Sequence, residues 1–206
     1  MPTLLHLDSS PLEGSISREL TREFVKTWKT AHPDGVVIVR DVAAQTPKPI
    51  DAAWIGAGFT PVDARTPEQT ALLAPSEELI AELDKADEYV FGVAMHNFSI
   101  PASLKLWIDQ VVRSGRTFSY GASGPQGLLK GKKATILIAT GGAYESGTPM
   151  GSFNHADTYL KTVLSFLGVT DVTVVAASGA AQLMSGAVDR DTFLKPTLAQ
   201  VRSVAA

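Results

Sequence analysis

Cysteine is missing from all 206 residues. That removes disulfides, thiolate metal ligands and thiol nucleophiles together, and it suits a reducing compartment. An excess of one charge is missing too. Eighteen basic residues stand against 21 acidic ones, a net charge of −3, which leaves no electrostatic footprint for nucleic acid or an anionic membrane. Lys130, Lys132 and Lys133 form the one small basic cluster, and it reads as a solvated loop entering a strand. Apolar runs such as Ala134 to Ala139 are far too short to span a bilayer. The opening MPTLLHLDSS has no basic start followed by an apolar run, so no signal peptide is read.

Several chemical signatures are absent as well. Gly56-Ala57-Gly58 runs into Phe59-Thr60-Pro61, so no G-x-G-x-x-G follows a strand. Gly131-Lys132 is followed by Lys133 and lacks the earlier glycine of a Walker A loop. There is no G-x-S-x-G elbow and no H-E-x-x-H. The four histidines, His6, His32, His96 and His155, have no ligand spacing, so no metal site is expected. His6 lies on a strand and reads as structural, and His32 ends a helix where it suits the dipole. His96 remains as the histidine in a candidate site.

What is present reads as one α/β domain over residues 1–206. Hydrophobic residues make up 45% and charged residues 19%, ordinary for a soluble globule. Short apolar strands fall at Thr3 to Leu7, Val36 to Val39, Tyr89 to Val93, Ala134 to Ala139 and Val172 to Ala176. Helical periodicity fills the gaps: Ser17 to His32, Pro67 to Lys85, a helix opening at Pro101, Asn154 to Leu167, and Ser185 to Val204. This alternation argues a doubly wound, five-stranded parallel sheet, and the flavodoxin-like order 2-1-3-4-5 is the first choice.

Two connections are long. Ala43 to Arg65 contains Trp54 and Phe59, and Arg116 to Lys130 contains Phe118 and Tyr120. Long ordered segments are usually functional or interfacial. Trp54 could equally tuck onto its own core, whereas Phe118 and Tyr120 are expected to face a ligand or a partner.

Three strand-end segments carry the candidate chemistry. After the first strand, Ser9, Ser10, Ser15 and Ser17 precede a helix start, a cradle of hydroxyl and backbone donors for phosphate. After the third strand, Met95-His96-Asn97-Phe98 is soft, aromatic and amide-bearing, a surface for a flat ring rather than a tight turn. After the fourth, Ala139-Thr140-Gly141-Gly142 offers paired glycines whose N–H groups are bare. In the proposed strand order all three line one crevice. A ligand with phosphate at one end and a planar polar ring at the other suits it, and flavin mononucleotide (FMN) is such a ligand.

These residues, with Arg40-Asp41-Val42-Ala43, the run from Thr117 to Leu128, and Phe166 to Val172, resemble the FMN-dependent NADH:quinone oxidoreductase and azoreductase family over nearly the whole chain. The resemblance implies a flavodoxin-like homodimer with one FMN per subunit at the interface, NAD(P)H as donor, and quinones and azo compounds as acceptors. By position it implies that Ser10 and Ser15-Ile16-Ser17 hold the phosphate. Met95, His96, Asn97 and Phe98 with Ala139, Thr140, Gly141 and Gly142 would hold the ribityl chain and ring. Phe118 and Tyr120 would border the substrate cavity. His96 departs from the family's commoner tyrosine, and Ala139-Thr140 from a more polar pair. No side chain is obliged to be catalytic, because the flavin carries the chemistry.

Rival readings share parts of this pattern. A one-electron flavodoxin-type carrier would share fold and FMN but is usually strongly acidic. A GDSL-like hydrolase would explain Asp8-Ser9-Ser10, but no histidine follows His155 to complete its late Asp-x-x-His. A non-enzymatic FMN-binding regulator is a third reading.

Overall fold

The structure, a computed structural model, describes residues 1–122 and 124–206. Ser123, within the second long connection, lies outside the described residues. Five parallel strands form the central sheet: β1 (Thr3–Asp8), β2 (Val36–Asp41), β3 (Glu88–Ala94), β6 (Lys133–Ala139) and β7 (Asp171–Ala177). Their order is β2-β1-β3-β6-β7, which is 2-1-3-4-5 once the two strands of a separate hairpin are skipped. Asp8 pairs in register with Asp41 and with Gly92, and Ala139 pairs with Ala94 and Ala177. All five carboxyl ends therefore open onto one edge of the sheet.

Alternation along each strand splits the core in two. Leu5, Leu7, Tyr89, Phe91, Ile136 and Ile138 pack with α3 (Pro67–Lys85), α4 (Ala102–Val111) and α5 (Asp157–Leu167). Leu4, Val90, Leu137 and Ala139 pack on the other face with α1 (Ile16–Ala31) and α7 (Arg190–Val204). On α1, Leu20, Phe24 and Trp28 recur at helical spacing and are fully buried, each contributing about 1.5–3 kcal/mol through apolar burial. Ser15 caps this helix, its hydroxyl accepting from the Arg18 N–H at 3.3 Å. His32 ends it, with its backbone N–H on the Trp28 carbonyl. Thr66 and Gln69 form a reciprocal capping box on α3.

Several local expectations are corrected. Pro101 is the residue before α4, extended at φ −58° and ψ 146°, rather than its first helical residue. The helix expected from Asn154 starts at Asp157, preceded by a 3₁₀ turn at Gly151–Phe153. The last helix begins at Arg190 behind an Asp189 cap, and a four-residue helix α6 (Ala181–Met184) stands before it. Val188 thus falls outside the helix. Glycine at 186 with φ +69° breaks the chain between the two.

The long connections hold structure of their own. Asp51 caps α2 (Ala52–Phe59) by accepting from the Trp54 N–H at 2.8 Å. Trp54 is buried in a small cluster with Ala57 and Leu73, and its indole N–H donates to Gln110 Oε1 at 3.1 Å. The second connection contains an antiparallel hairpin, β4 (Phe118–Gly121) with β5 (Gly124–Gly127). Phe118 tucks onto the core, against the expectation for it, with its ring 4.7 Å from that of Phe166. Tyr120 is 73% exposed.

Candidate functional site

The edge where the strands end is stitched across three segments. Ser9 donates to the Gly92 carbonyl through both its N–H (3.1 Å) and its hydroxyl (2.8 Å). The Met95 N–H donates to the Ala139 carbonyl at 2.9 Å. The segments after β1, β3 and β6 are thereby brought together.

At the first segment, Ser10 and Ser17 are buried and Ser15 is half-buried. The Ser15 and Ser17 hydroxyl oxygens lie 3.3 Å apart, and Ser10 Oγ accepts from the Leu12 N–H at 3.4 Å. The N–H groups of Ile16 and Ser17, in the first turn of α1, donate to no acceptor among the described residues. Such groups need an external partner, and the helix dipole favours an anion. The Ile16 side chain is buried with Ala139 and Ala177, so Ile16 offers its backbone alone.

The Met95–Phe98 segment differs from expectation: it is a tight turn. His96 and Ser99 pair through two backbone hydrogen bonds, 2.9 and 3.0 Å. Between them Asn97 and Phe98 both take positive φ, +48° and +72°, the pattern of a type I′ turn. Asparagine tolerates this region; phenylalanine is strained in it. The turn still presents an aromatic surface. The Phe98 ring, 41% exposed, meets Tyr144 edge-on at 6.0 Å and Phe153 at 5.4 Å. Sequence reasoning passed over Tyr144 and Phe153; their signal was two aromatics shortly after the paired glycines. His96 and Asn97 are exposed, whereas Met95 is partly buried against the core.

At the third segment, Ala139 and Thr140 are buried. The Thr140 N–H goes to the Ala177 carbonyl (3.0 Å), and its hydroxyl to the Gly142 carbonyl (2.7 Å). Gly179, Ala180 and Ala181 N–H groups occupy the carbonyls of Gly142, Thr140 and Gly141. With every carbonyl held inward, the Gly141 and Gly142 N–H groups are left without an acceptor among the described residues. A Cβ added at Gly141 would meet nothing within 4 Å, so no protein atom demands glycine there and its open face suits a ligand.

Among the cavities, one adjoins the third segment and another lies apart from all three. One of about 570 Å³ runs behind Thr140 and Tyr144 towards Asp157 and Lys161 on α5. Another, about 390 Å³, lies between Trp54, Phe59, Arg113, Phe118 and Tyr120. None of Ser10, Ser15, Ser17, Asn97 or Gly141 lines either. Phe118 and Tyr120 are therefore not gathered with the other candidates. No group of three or more His, Asp or Glu among the described residues could hold a metal ion. No helix among them is long and apolar enough to cross a membrane.

The family described as "Flavodoxin-like fold" matches residues 2–202. An FMN-dependent NADH:quinone oxidoreductase of Acidobacterium capsulatum is 64% identical over 206 residues, covering 100% of both chains. The chain belongs to the FMN-dependent NADH:quinone oxidoreductase family of flavodoxin-like proteins. Within that family, FMN-dependent NADH:quinone oxidoreductase 3 of Burkholderia lata is 47% identical over 202 residues, 98% of each chain. Among solved structures, an azoreductase from Bacillus anthracis strain Sterne matches with a TM-score of 0.89 at 28% identity, over 100% of this chain and 99% of that one. The flavodoxin-like order of the sheet agrees with this membership, and the expected family is the observed one.

Proposed function

We propose that this chain is an FMN-dependent NADH:quinone oxidoreductase that also reduces azo compounds, with residues 1–206 acting as one FMN-binding unit. The observation that carries the reading is the set of unanswered N–H donors of Ile16, Ser17, Gly141 and Gly142, at one sheet edge around a strained aromatic turn. Full-length relatives bearing that name support it.

The donor set fits FMN. Ser10, Ser15 and Ser17, with the free N–H groups of α1, would hold the phosphate without a lysine. Met95, His96, Asn97 and Phe98 would hold the ribityl chain and the ring with the segment Ala139–Gly142. In that segment Ala139 and Thr140 act as buried supports, and Gly141 and Gly142 supply the donors. The chemistry FMN supplies when bound is two-electron transfer, from a reduced nicotinamide to a quinone or azo compound, the second substrate replacing the first. Donors of Gly141 and Gly142 fixed by carbonyls locked behind them favour negative charge beside them, as an oxyanion hole does. The Phe98, Tyr144 and Phe153 rings exclude water and give a flat substrate a stacking wall. His96, exposed beside them, would hold or deliver a proton at a ring nitrogen.

A homodimer completes the reading. Phe118 and Tyr120 sit in a separate cavity, so they would border a substrate only across a subunit contact. The proposed setting is the cytoplasm, where reduced nicotinamide is available, with neither nucleic acid nor membrane as partner.

The test is the absorption spectrum of the purified protein. Flavin bands that bleach with NADH and return with a quinone are expected, with ping-pong kinetics. A colourless preparation that takes up no added FMN would refute the reading.

A further inference from the structure

We infer that Arg18 is the positioning residue of the phosphate cradle, and that it acts by geometry rather than by charge. This rests on the FMN reading above. Arg18 follows Ser17 on α1, and its guanidinium turns back under the cradle. Nε and Nη2 both donate to the Ser10 carbonyl oxygen, at 3.0 and 2.7 Å. Nη2 also donates to Asp41 Oδ2 at 2.7 Å, and Nη1 to Asp8 Oδ2 at 3.4 Å. The fork is itself braced. Asp8 Oδ1 accepts from the Thr21 hydroxyl at 2.9 Å. Asp41 Oδ1 accepts from the Ala43 and Ala44 N–H groups, both at 3.0 Å.

Two consequences follow for an anion in the cradle. Residue 11 is proline, so the peptide after Ser10 has no N–H to offer, only its carbonyl oxygen. An oxygen turned towards phosphate would repel it. Arg18 occupies that oxygen with two donors and holds it inward, leaving the N–H of Ser10, which has no acceptor among the described residues, for the ligand. The backbone N–H of Arg18 also donates to Ser15 Oγ at 3.3 Å. One residue thus fixes both ends of the serine set, Ser10 by its side chain and Ser15 by its backbone. Two carboxylates offset its positive charge, so what it supplies is the planar fork, which lysine cannot reproduce.

Flavin fluorescence titrations of apoprotein with FMN and with riboflavin, which lacks only the phosphate, test this. For Arg18→Gln and for Arg18→Lys, the FMN Kd is expected to rise about tenfold or more, with the riboflavin Kd within about twofold of wild type. Equal losses for both flavins, as a general loosening of the fold would give, overturn it. So does Arg18→Lys with wild-type FMN affinity, which would assign the role to charge. A wild-type protein that binds neither flavin would refute the functional reading itself, before any variant is made.

Discussion

Asn97 holds a backbone conformation that most side chains resist. At φ +48° a residue with a Cβ loses about 1–2 kcal/mol, while glycine and asparagine lose little. Asn97→Ala should therefore lower stability by about 1 kcal/mol and Asn97→Gly should not, measured as urea midpoints. Equal losses in both would mean that amide contacts, not the backbone, stabilise the turn. The turn was not foreseen from the sequence, although half of its signal is local. Asparagine is a turn residue, but Phe98 at φ +72° obeys no local rule, and its ring contacts with Tyr144 and Phe153 come from a segment 46 or more positions on. The grouping of Ser15 and Ser17 at the start of α1 was legible because hydroxyls before a helix are a local signal; Arg18 was not, because its partners Asp8 and Asp41 lie on different strands.

Asp41 gives a pH dependence at the same scale. Burial alone would raise its carboxyl, but the Ala44 N–H, Arg18 and the Ala43 N–H outweigh that and hold it below the usual carboxylate range. A depressed folded pKa adds stability that is complete above the unfolded value, near about 4, and is lost as pH falls through the folded one. Asp41→Asn should be less stable than wild type near neutrality, and the gap should close as pH falls below about 4. Urea midpoints across that range read it; a gap independent of pH would remove the carboxylate from the account.

Among elements, the hairpin β4–β5 is seated by backbone contact alone at one point. A Cβ at Gly127 would lie 2.1 Å from the Gly168 nitrogen. Gly168 ends α5 in the left-handed region at φ +100°, and the neighbouring Leu129 N–H donates to the Leu167 carbonyl at 2.9 Å. Gly127→Ala must push the hairpin off α5, at a cost of about 2–3 kcal/mol, and Gly168→Ala strains the same contact. The double variant should lose less than the sum of the singles, because one contact cannot be broken twice. Additive losses in denaturant titrations would place the two glycines in separate roles. The main elements were legible from periodicity: all five sheet strands and the α3 bounds, Pro67 to Lys85, follow from it. The hairpin was not. Glycine and proline mark a loop locally, and it is pairing with β4 that makes Gly124–Gly127 a strand.

For the whole molecule, the sheet edge and the Tyr120 cavity pose a single question. Phe59, Val62 and Tyr120 are each more than 70% exposed, with Ile55 at 44%. Ile55, Phe59 and Tyr120 line one cavity with Trp54. An apolar surface of this kind normally marks a contact site. If two subunits meet there, each would carry its aromatic residues to the other's strand ends, and the separation of Tyr120 from Gly141 within one chain would need no further cause. Light scattering on the eluted protein should then give about twice the 21.8 kDa chain mass. Phe59→Glu buries a charge in that contact without touching Ser10, Asn97 or Gly142, and should yield a folded monomer with lowered quinone reductase activity. A Phe59→Glu protein that stays dimeric and fully active would move the interface elsewhere on the surface. A wild-type monomer with full activity would mean that one chain suffices, and that Tyr120 never borders the substrate.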